Sequence, residues 1–480
     1  MLRDSAIYIL SRVVPSGLGF VTGIALTWLL TPEAYGIYGL GLTIVVLVAG
    51  IFFDWHGLSF MRFFQANADN PRFMPTVVQT FVLLCIASLV LVPLVLLVAA
   101  EIAGAFGAAG KDYRLLIAIA LPGCWAYAWF ELAARVQVAQ FRPMRYFWMN
   151  LTRNLLILGF GLAAAWAWHS AYPVLAGGFV AMLAAGLLFR IPHLSLMPRR
   201  FDPEMARRLF AFGWAMALVR ALGSASFAVD RFLLETLIGT DAVGFYTAAY
   251  QLAQTAIVTI GAGIGSATYS LAVRAVESGD LGAVNRQLSR NSTLLLALLL
   301  PASIGAAMVS PTLAKLLVGP DYVGPVANLT AWMALGAFFT GFRANYLDHA
   351  FQLGHKTHGL LKVTLVTTTV NIVLDIVLIP RFGVVGVAIA NLISGATGMC
   401  YAAWAARAVM PMPIAWRDAA KIAIAVLAMA LFLWPFYGRG ALPALAAAVF
   451  GGAAVYGAAL LALDAMDLRG VLKRRLARFS

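Results

Sequence analysis

Thr31-Pro32-Glu33-Ala34-Tyr35-Gly36-Ile37-Tyr38 is the stretch on which the fold turns, because a version of it returns later as Thr240-Asp241-Ala242-Val243-Gly244-Phe245-Tyr246. The glycine and the tyrosine two places after it recur 208 positions on. Each copy reads as a helix start: Thr31 or Asp241 can cap, and Pro32 suits a first turn, where its missing N–H is harmless. A second pair agrees, Lys111-Asp112-Tyr113 and Pro320-Asp321-Tyr322, 209 positions apart. Two matches at nearly one offset indicate an internal duplication of about 200 residues.

Composition says what is duplicated. Of 480 residues, 62% are hydrophobic and 11% charged, and the mean hydropathy is +0.87, well outside the range of water-soluble domains. About 20 apolar residues make one crossing. Spans are expected near 7–30, 37–61, 75–100, 114–134, 147–168 and 171–189, then 209–238, 242–273, 292–317, 325–351, 359–380 and 384–407. Two more, near 419–437 and 442–463, bring the total to fourteen. The expected fold is an all-α polytopic membrane protein with two six-helix lobes in parallel repeat and two C-terminal helices. An even repeat gives both halves one orientation, related by an axis along the membrane normal, with a site between them worked by alternating access. The expected organisation is an N-terminal lobe 1–190, an interlobe linker 191–208, a C-terminal lobe 209–408 and a final segment 409–480 with a basic tail.

The net charge of +14 tests the topology. With the N-terminus inside, Lys111, Arg114, Lys315, Arg381 and Arg439 fall outside and five arginines fall within spans. The rest of the 34 lysines and arginines lie in cytoplasmic segments and span ends, as the positive-inside rule requires. The basic excess is thus a topology signal with both termini cytoplasmic, and nucleic acid is not an expected partner. The tail, with Arg469, Lys473, Arg474, Arg475 and Arg478, is placed to meet anionic lipid. Cys85, Cys124 and Cys400 sit in apolar stretches without paired spacing, so neither a disulfide framework nor a zinc site is indicated. The N-terminus reads as a first membrane helix, not as a removed signal peptide.

The five arginines within expected spans are Arg12, Arg153, Arg220, Arg231 and Arg343. A guanidinium cannot shed its charge, and holding one at a helix centre costs roughly 2.5–3.5 kcal/mol. Arg220 lies roughly 15 Å into its span at 1.5 Å per residue, too deep to snorkel easily. Neither it nor Arg343 has an acid three or four positions away, so both are candidates to line an anion-handling cavity. Arg12 and Arg153 lie only about 10 Å deep; cavity lining and snorkelling both remain open for them. Arg231 has Glu235 at i+4, spacing suited to a structural ion pair. Asp54, Asp230, Asp348 and Asp375 are the candidates for coupling to a proton or sodium gradient, since a buried acid can bind either and release it when access changes. Asp230 is placed to pair with another helix, and His56 and His169 are expected at the interface. The glycines of Gly261–Gly265 read as helix packing.

At these cassettes the chain resembles the polysaccharide-lipid flippases, Wzx-like O-antigen and exopolysaccharide transporters of the multidrug/oligosaccharidyl-lipid/polysaccharide exporter superfamily. The resemblance covers nearly the whole chain. It rests on Pro32–Tyr38, Asp54-Trp55-His56-Gly57-Leu58, Val229-Asp230-Arg231-Phe232-Leu233-Leu234, Val243–Tyr250, Gly319-Pro320-Asp321-Tyr322, and the run Asn371–Gly383 with Gly386–Ala390. It implies a flippase that carries undecaprenyl-pyrophosphate-linked oligosaccharide repeat units across the bacterial inner membrane, for surface polysaccharide, lipopolysaccharide or exopolysaccharide synthesis. A polysaccharide polymerase and export machinery are the implied partners, besides membrane lipids. One departure is Asp375, where the family commonly has Asn. Cavity arginines suit such a cargo, because forked guanidinium donors recognise phosphate.

Two other functions compete. An ion-coupled drug exporter of the same superfamily would share the architecture but should expose carboxylates to organic cations. A membrane glycan polymerase should carry a large outer segment, whereas the longest expected here is Glu101–Tyr113. No GxxxxGK[ST], HExxH or paired-cysteine motif is present, so neither an enzyme nor a bound cofactor is expected.

Overall fold

In hydrocarbon no water satisfies main-chain N–H and C=O groups, so apolar stretches of this length take up helix. The structure, a computed structural model, describes the backbone of residues 2–105, 113–189, 201–354, 356 and 358–470. Within these it describes all side chains except those of residues 2–13, 95–105, 215–221, 224, 254–256, 259, 266, 267 and 281. The described residues form two compact units, Met1–Gly244 and Phe245–Ser480.

The first unit holds α1 (Leu2–Leu29), α2 (Pro32–Phe52), α3 (Asp54–Phe64), α4 (Phe73–Ala105), α5 (Arg114–Ala139), α6 (Pro143–Trp168), α7 (Ala171–Leu188), α8 (Pro203–Leu237) and the first turn of α9 (Thr240–Glu277). The second holds the remainder of α9, then α10 (Leu281–Leu317), α11 (Val323–Phe342), α12 (His349–Leu353), α13 (His358–Phe382), α14 (Val384–Ala406), α15 (Trp416–Leu433) and α16 (Leu442–Ala462). With α2 and α3 counted as one body, and α11 and α12 as another, fourteen helical bodies follow one another among the described residues. Eleven are long and apolar enough to cross a membrane, and Val14–Leu29 of α1 is a shorter apolar helix. The remaining two, α8 and α9, run to 35 and 38 residues. This is an all-α, multi-pass membrane protein.

The helix starts obey local chemistry. The Thr31 hydroxyl accepts from the Ala34 N–H at 3.3 Å, with Pro32 at the first helical position and Glu33 in the first turn of α2. In α9 the helix begins at Thr240, two residues earlier than a cap at Asp241 would require, so Asp241 lies in the first turn, where its charge complements the helix dipole. Asp202 caps α8, accepting from the Met205 N–H at 3.1 Å while its own N–H reaches Thr76 Oγ1 at 2.9 Å. That cap extends the helix six residues ahead of the expected start at 209 and draws the end of the expected linker into it. Residues 190–200 of that linker lie outside the described residues.

Two expected spans are interrupted. The span expected over 37–61 stops at Phe52, and a new helix starts at Asp54, which puts that carboxylate in a first turn instead of in the ending of one continuous helix. The span expected over 325–351 contains a π-helical turn at Arg343–Leu347. Within the first unit, α2 packs on α5, α7 and α8, α6 packs on α1 and α7, and α3 packs on α8. Ser59 Oγ donates to Leu209 O at 2.8 Å, and a Cβ on Gly213 would run into the Trp55 ring. Within the second unit, α11 packs between α10 and α14, α14 on α13, and α15 with α16 on α10. The last pair is sealed by Ile422, Ala425, Val426 and Met429 and by Tyr456 Oη donating to Ala297 O at 2.7 Å.

The repeated glycines have a shared use inside the first unit, whose last residues are the opening turn of α9. A Cβ on Gly36 would lie 2.0 Å from Thr240 O, and a Cβ on Gly244 would lie 2.0 Å from Pro32 O. The two cassettes thus meet main chain to main chain, and only residues without a side chain fit. Replacing Gly36 or Gly244 by Ala should lower the thermal unfolding midpoint of the detergent-purified protein, at the cost of overpacking of about 1–3 kcal/mol. Gly159→Ala, at an exposed helical position with nothing within 4 Å, should leave the midpoint unchanged or raise it.

Candidate functional site

Arg343 opens the π-turn. In an α-helix, residues five apart sit about 140° from each other, so Arg343 and Asp348 would face different neighbours. The π-turn, closed by the Asp348 N–H on Arg343 O at 3.0 Å, brings them onto one side. Arg343 Nε then lies 3.7 Å from Asp348 Oδ2, an ion pair longer than a hydrogen bond. Nη1 of the same guanidinium donates to Thr367 Oγ1 of α13 at 2.8 Å, and that hydroxyl donates on to Val363 O. Gly398 of α14 makes the room: a Cβ there would be 2.3 Å from Thr367 Oγ1 and 2.9 Å from Arg343 Nη1. Both Arg343 Nε and Asp348 Oδ1 are buried without a hydrogen bond.

The turn is held on its other sides as well. Asn345 Nδ2 donates to Gly341 O at 2.8 Å, and the Asn345 side chain lies against Gly261 and Gly265 of α9, where any Cβ would strike it. The expected packing use of these two glycines is thus what the structure shows. Tyr346 Oη donates to Pro413 O at 2.5 Å, and Ser292 Oγ donates to the same carbonyl. Along α13, Thr367, Asn371 and Asp375 recur every four residues on one face. Asn371 Nδ2 donates to Asp375 Oδ2 at 3.2 Å, with Asp375 fully buried.

A second polar cluster lies in the first unit. Arg135 of α5 pairs with Asp54 at 3.3 Å and also donates to the Asp54 carbonyl. Its side chain passes over Gly57, where a Cβ would touch Nη1 at 2.6 Å. One turn back on α5, Glu131 pairs with Arg153 of α6 at 3.6 Å, and that guanidinium also lies 4.5 Å over the Phe130 ring. Asp54, His56, Tyr127, Glu131 and Arg135 line a narrow cleft there. His56, expected at the interface, is instead buried, with Nε2 3.1 Å from Val77 O; His169 is exposed.

Asp230, Arg231 and Glu235 are all buried on α8. Arg231 donates to Phe227 O at 3.0 Å and lies 3.7 Å over that residue's ring. Glu235 accepts from the Tyr113 hydroxyl, whose pKa is pushed up by burial and by this contact. The side chains of Arg12 and Arg220, both candidate cavity cations, lie outside the described residues. Arg153 has a carboxylate partner, and so does Arg343, at a spacing an α-helical reading does not count. Sequence reasoning missed Arg135, placed beyond an expected helix end at 134, although Glu131 four residues earlier was the available signal. It also missed Thr367 and Asn345, which carry no charge to mark them.

Residues 1–271 match the family described as "Polysaccharide biosynthesis protein", and residues 215–377 match the family described as MatE. The "Probable flippase AglR" of Haloferax volcanii is 26% identical over 260 residues, 53% of this chain and 53% of its own. The chain thus matches about half the length of that curated relative. Among solved structures, "Lipid II flippase MurJ, inward closed conformation" superposes with a TM-score of 0.76 at 16% identity, over 98% of this chain and 100% of that one. An inward-facing multidrug resistance MATE family transporter of the MOP superfamily superposes with a TM-score of 0.64 at 16% identity, over 84% of this chain and 98% of that one. At these identities the likeness shows a shared fold.

The Arg343 geometry depends on Gly398. Gly398→Ala should push a methyl into the Arg343–Thr367 hydrogen bond and destabilise the folded protein by about 1–3 kcal/mol. The companion change Thr367→Ala, which removes the nearest atom, should restore part of that loss. A thermal-shift double-mutant cycle checks this, and simple additivity of the two changes would contradict the contact.

Proposed function

We infer that this chain, which belongs to the polysaccharide biosynthesis protein family, is a flippase that moves undecaprenyl-pyrophosphate-linked oligosaccharide repeat units across the bacterial inner membrane. The observation that carries the reading is Arg343, a guanidinium within a 34-residue apolar span whose buried Nε–H has no hydrogen-bond acceptor. A phosphate oxygen supplies that acceptor, and charge-assisted hydrogen bonds from a forked guanidinium are about twice as strong as neutral ones. The names of the relatives support the direction: a flippase, a lipid II flippase and a multidrug transporter, none of them an enzyme.

In this reading lobes 1–190 and 209–408 alternate access to a cavity lined by Arg343, Arg220, Arg12 and Arg153, with 191–208 as linker, 409–480 as an annex and both termini cytoplasmic. Arg153 contributes in the state where Glu131 releases it. Energy comes from a proton or sodium gradient through Asp54, Asp230, Asp348 or Asp375, while Arg231 and Glu235 serve structure. A polysaccharide polymerase and its export partners receive the product, destined for lipopolysaccharide or exopolysaccharide.

The MATE-like fold favours a second reading, a drug exporter, and the sign of the site charge separates the two. In a strain dependent on this chain for surface glycan, Arg343→Ala and Arg220→Ala should each abolish glycan export and leave sensitivity to cationic drugs unchanged. Normal glycan with altered drug sensitivity would decide for the exporter.

A further inference from the structure

We propose that Arg343 exchanges one anion for another: Asp348 holds the guanidinium in the arrangement described, a cargo phosphate displaces it, and the released Asp348 carboxylate takes up one proton. The proposal rests on the anion-transport reading above and adds the device that couples the cargo to protons. The pairing is visibly incomplete. Nε and Oδ2 stand 3.7 Å apart, while Nε itself and Oδ1 have no hydrogen bond, so both partners keep capacity that a better ligand can use.

The pair also exists only through its backbone. The π-turn superimposes Arg343 and Asp348, and relaxation to α-helical spacing carries them about 140° apart. An α-helical arrangement of the turn would therefore take Asp348 out of reach of Arg343. Among the described residues, Arg343 is the charge paired with Asp348. The elements packed on the turn are α10, α11, α12 and α14, with α9 against Asn345 and α13 against Arg343 through Thr367. The charges of α9 (Asp241, Arg274 and Glu277) lie toward its two ends, and those of α13 are His358, Lys362, Asp375 and Arg381, of which Asp375 accepts from Asn371. Neither α11 nor α14 carries an Asp, Glu, Lys or Arg. The α10 charges, Arg286, Arg290 and Lys315, lie toward its two ends, and His349 of α12 packs its ring 4.7 Å from that of Tyr269. A carboxylate left alone among such neighbours loses its charge, because an isolated buried ion costs far more than a protonated acid. The balance is one proton from water for each phosphate bound: the carboxylate becomes a carboxylic acid and Arg343 keeps its charge.

Binding that takes up a proton weakens as pH rises. The test uses the full chain in detergent micelles with inorganic pyrophosphate as probe, by titration calorimetry in buffers of different ionisation enthalpy. Wild type should take up about one proton more per bound pyrophosphate than Asp348→Asn, a difference that cancels the protons pyrophosphate itself exchanges. Asp348→Asn, freed of the internal competitor, should bind several-fold tighter at alkaline pH and lose most of the pH dependence, whereas Arg343→Gln should weaken binding by about tenfold or more. A second measurement needs no variant: pyrophosphate should bring up a protonated-carboxyl band in the infrared difference spectrum of wild type. Binding that depends on Arg343 but takes up the same protons in Asp348→Asn overturns the exchange and leaves the anion reading standing. Absence of binding by wild type, with pyrophosphate and with short-chain phosphatidic acid alike, overturns both. Proton uptake with phosphatidic acid alone supports the exchange and assigns the anion to a lipid headgroup.

Discussion

A guanidinium in a membrane keeps its charge, so the chain around it must bring oxygen to it, and in the described part of this protein the backbone itself bends to that demand. The two interruptions of expected spans coincide with charged residues. The break at Phe53 hands over to a helix beginning at Asp54, whose carboxylate meets Arg135. The π-turn begins at Arg343 and ends where Asp348 can reach it. Irregular backbone in a bilayer survives only where protein covers it, and both irregularities are covered, by α5 and α8 in the first unit and by α10, α11 and α14 in the second.

Glycine makes those arrangements sterically available. Arg135 crosses Gly57, the Arg343–Thr367 bond crosses Gly398, and Asn345 seats on Gly261 and Gly265. At Gly36 and Gly244 the closest atom is a backbone carbonyl. In a bilayer the lipid is as apolar as the side chains, so close packing and hydrogen bonds between helices carry the association. Small residues in these spans therefore do two things at once: they let helices approach, and they clear a path for a long polar side chain to cross between them.

This explains which parts of the architecture were legible in the sequence. The succession of fourteen helical bodies, eleven of them long and apolar enough to cross a membrane, the cap at Thr31 and the duplicated turns were readable because apolar run length and capping chemistry act within a few residues. The break at Phe53 and the π-turn were not, since nothing in the local propensity of Arg343-Ala344-Asn345-Tyr346-Leu347 marks a π-turn, and the contact of Asn345 with α9 joins residues far apart in sequence. The same limit hid the site. Partners on one helix are sought at three or four residues, so Asp348 at five escaped notice. Arg135 escaped because α5 runs on to Ala139, five residues past its expected end. The charge partners of Asp54 and Arg153 lie on other helices, and no spacing rule reports those.

The two clusters differ in a way that counting charges hides. In the first unit two arginines and two acids alternate through Asp54–Arg135 and Glu131–Arg153 at 3.3 and 3.6 Å, with Arg135 also bonded to a carbonyl and Arg153 over a ring. In that network Arg153 Nε is a buried donor without a hydrogen bond, but neither Asp54 nor Glu131 keeps a buried oxygen without one. In the second unit the pair is longer and leaves a buried donor on one side and a buried acceptor on the other. A donor left unsatisfied costs about 1–3 kcal/mol, a penalty that a bound oxyanion removes and a bound organic cation does not. The acceptor, conversely, is relieved by a proton. An anion on Arg343 and a proton on Asp348 would thus each repair one half of the same defect, and on that ground we propose that the two act on one another at the π-turn.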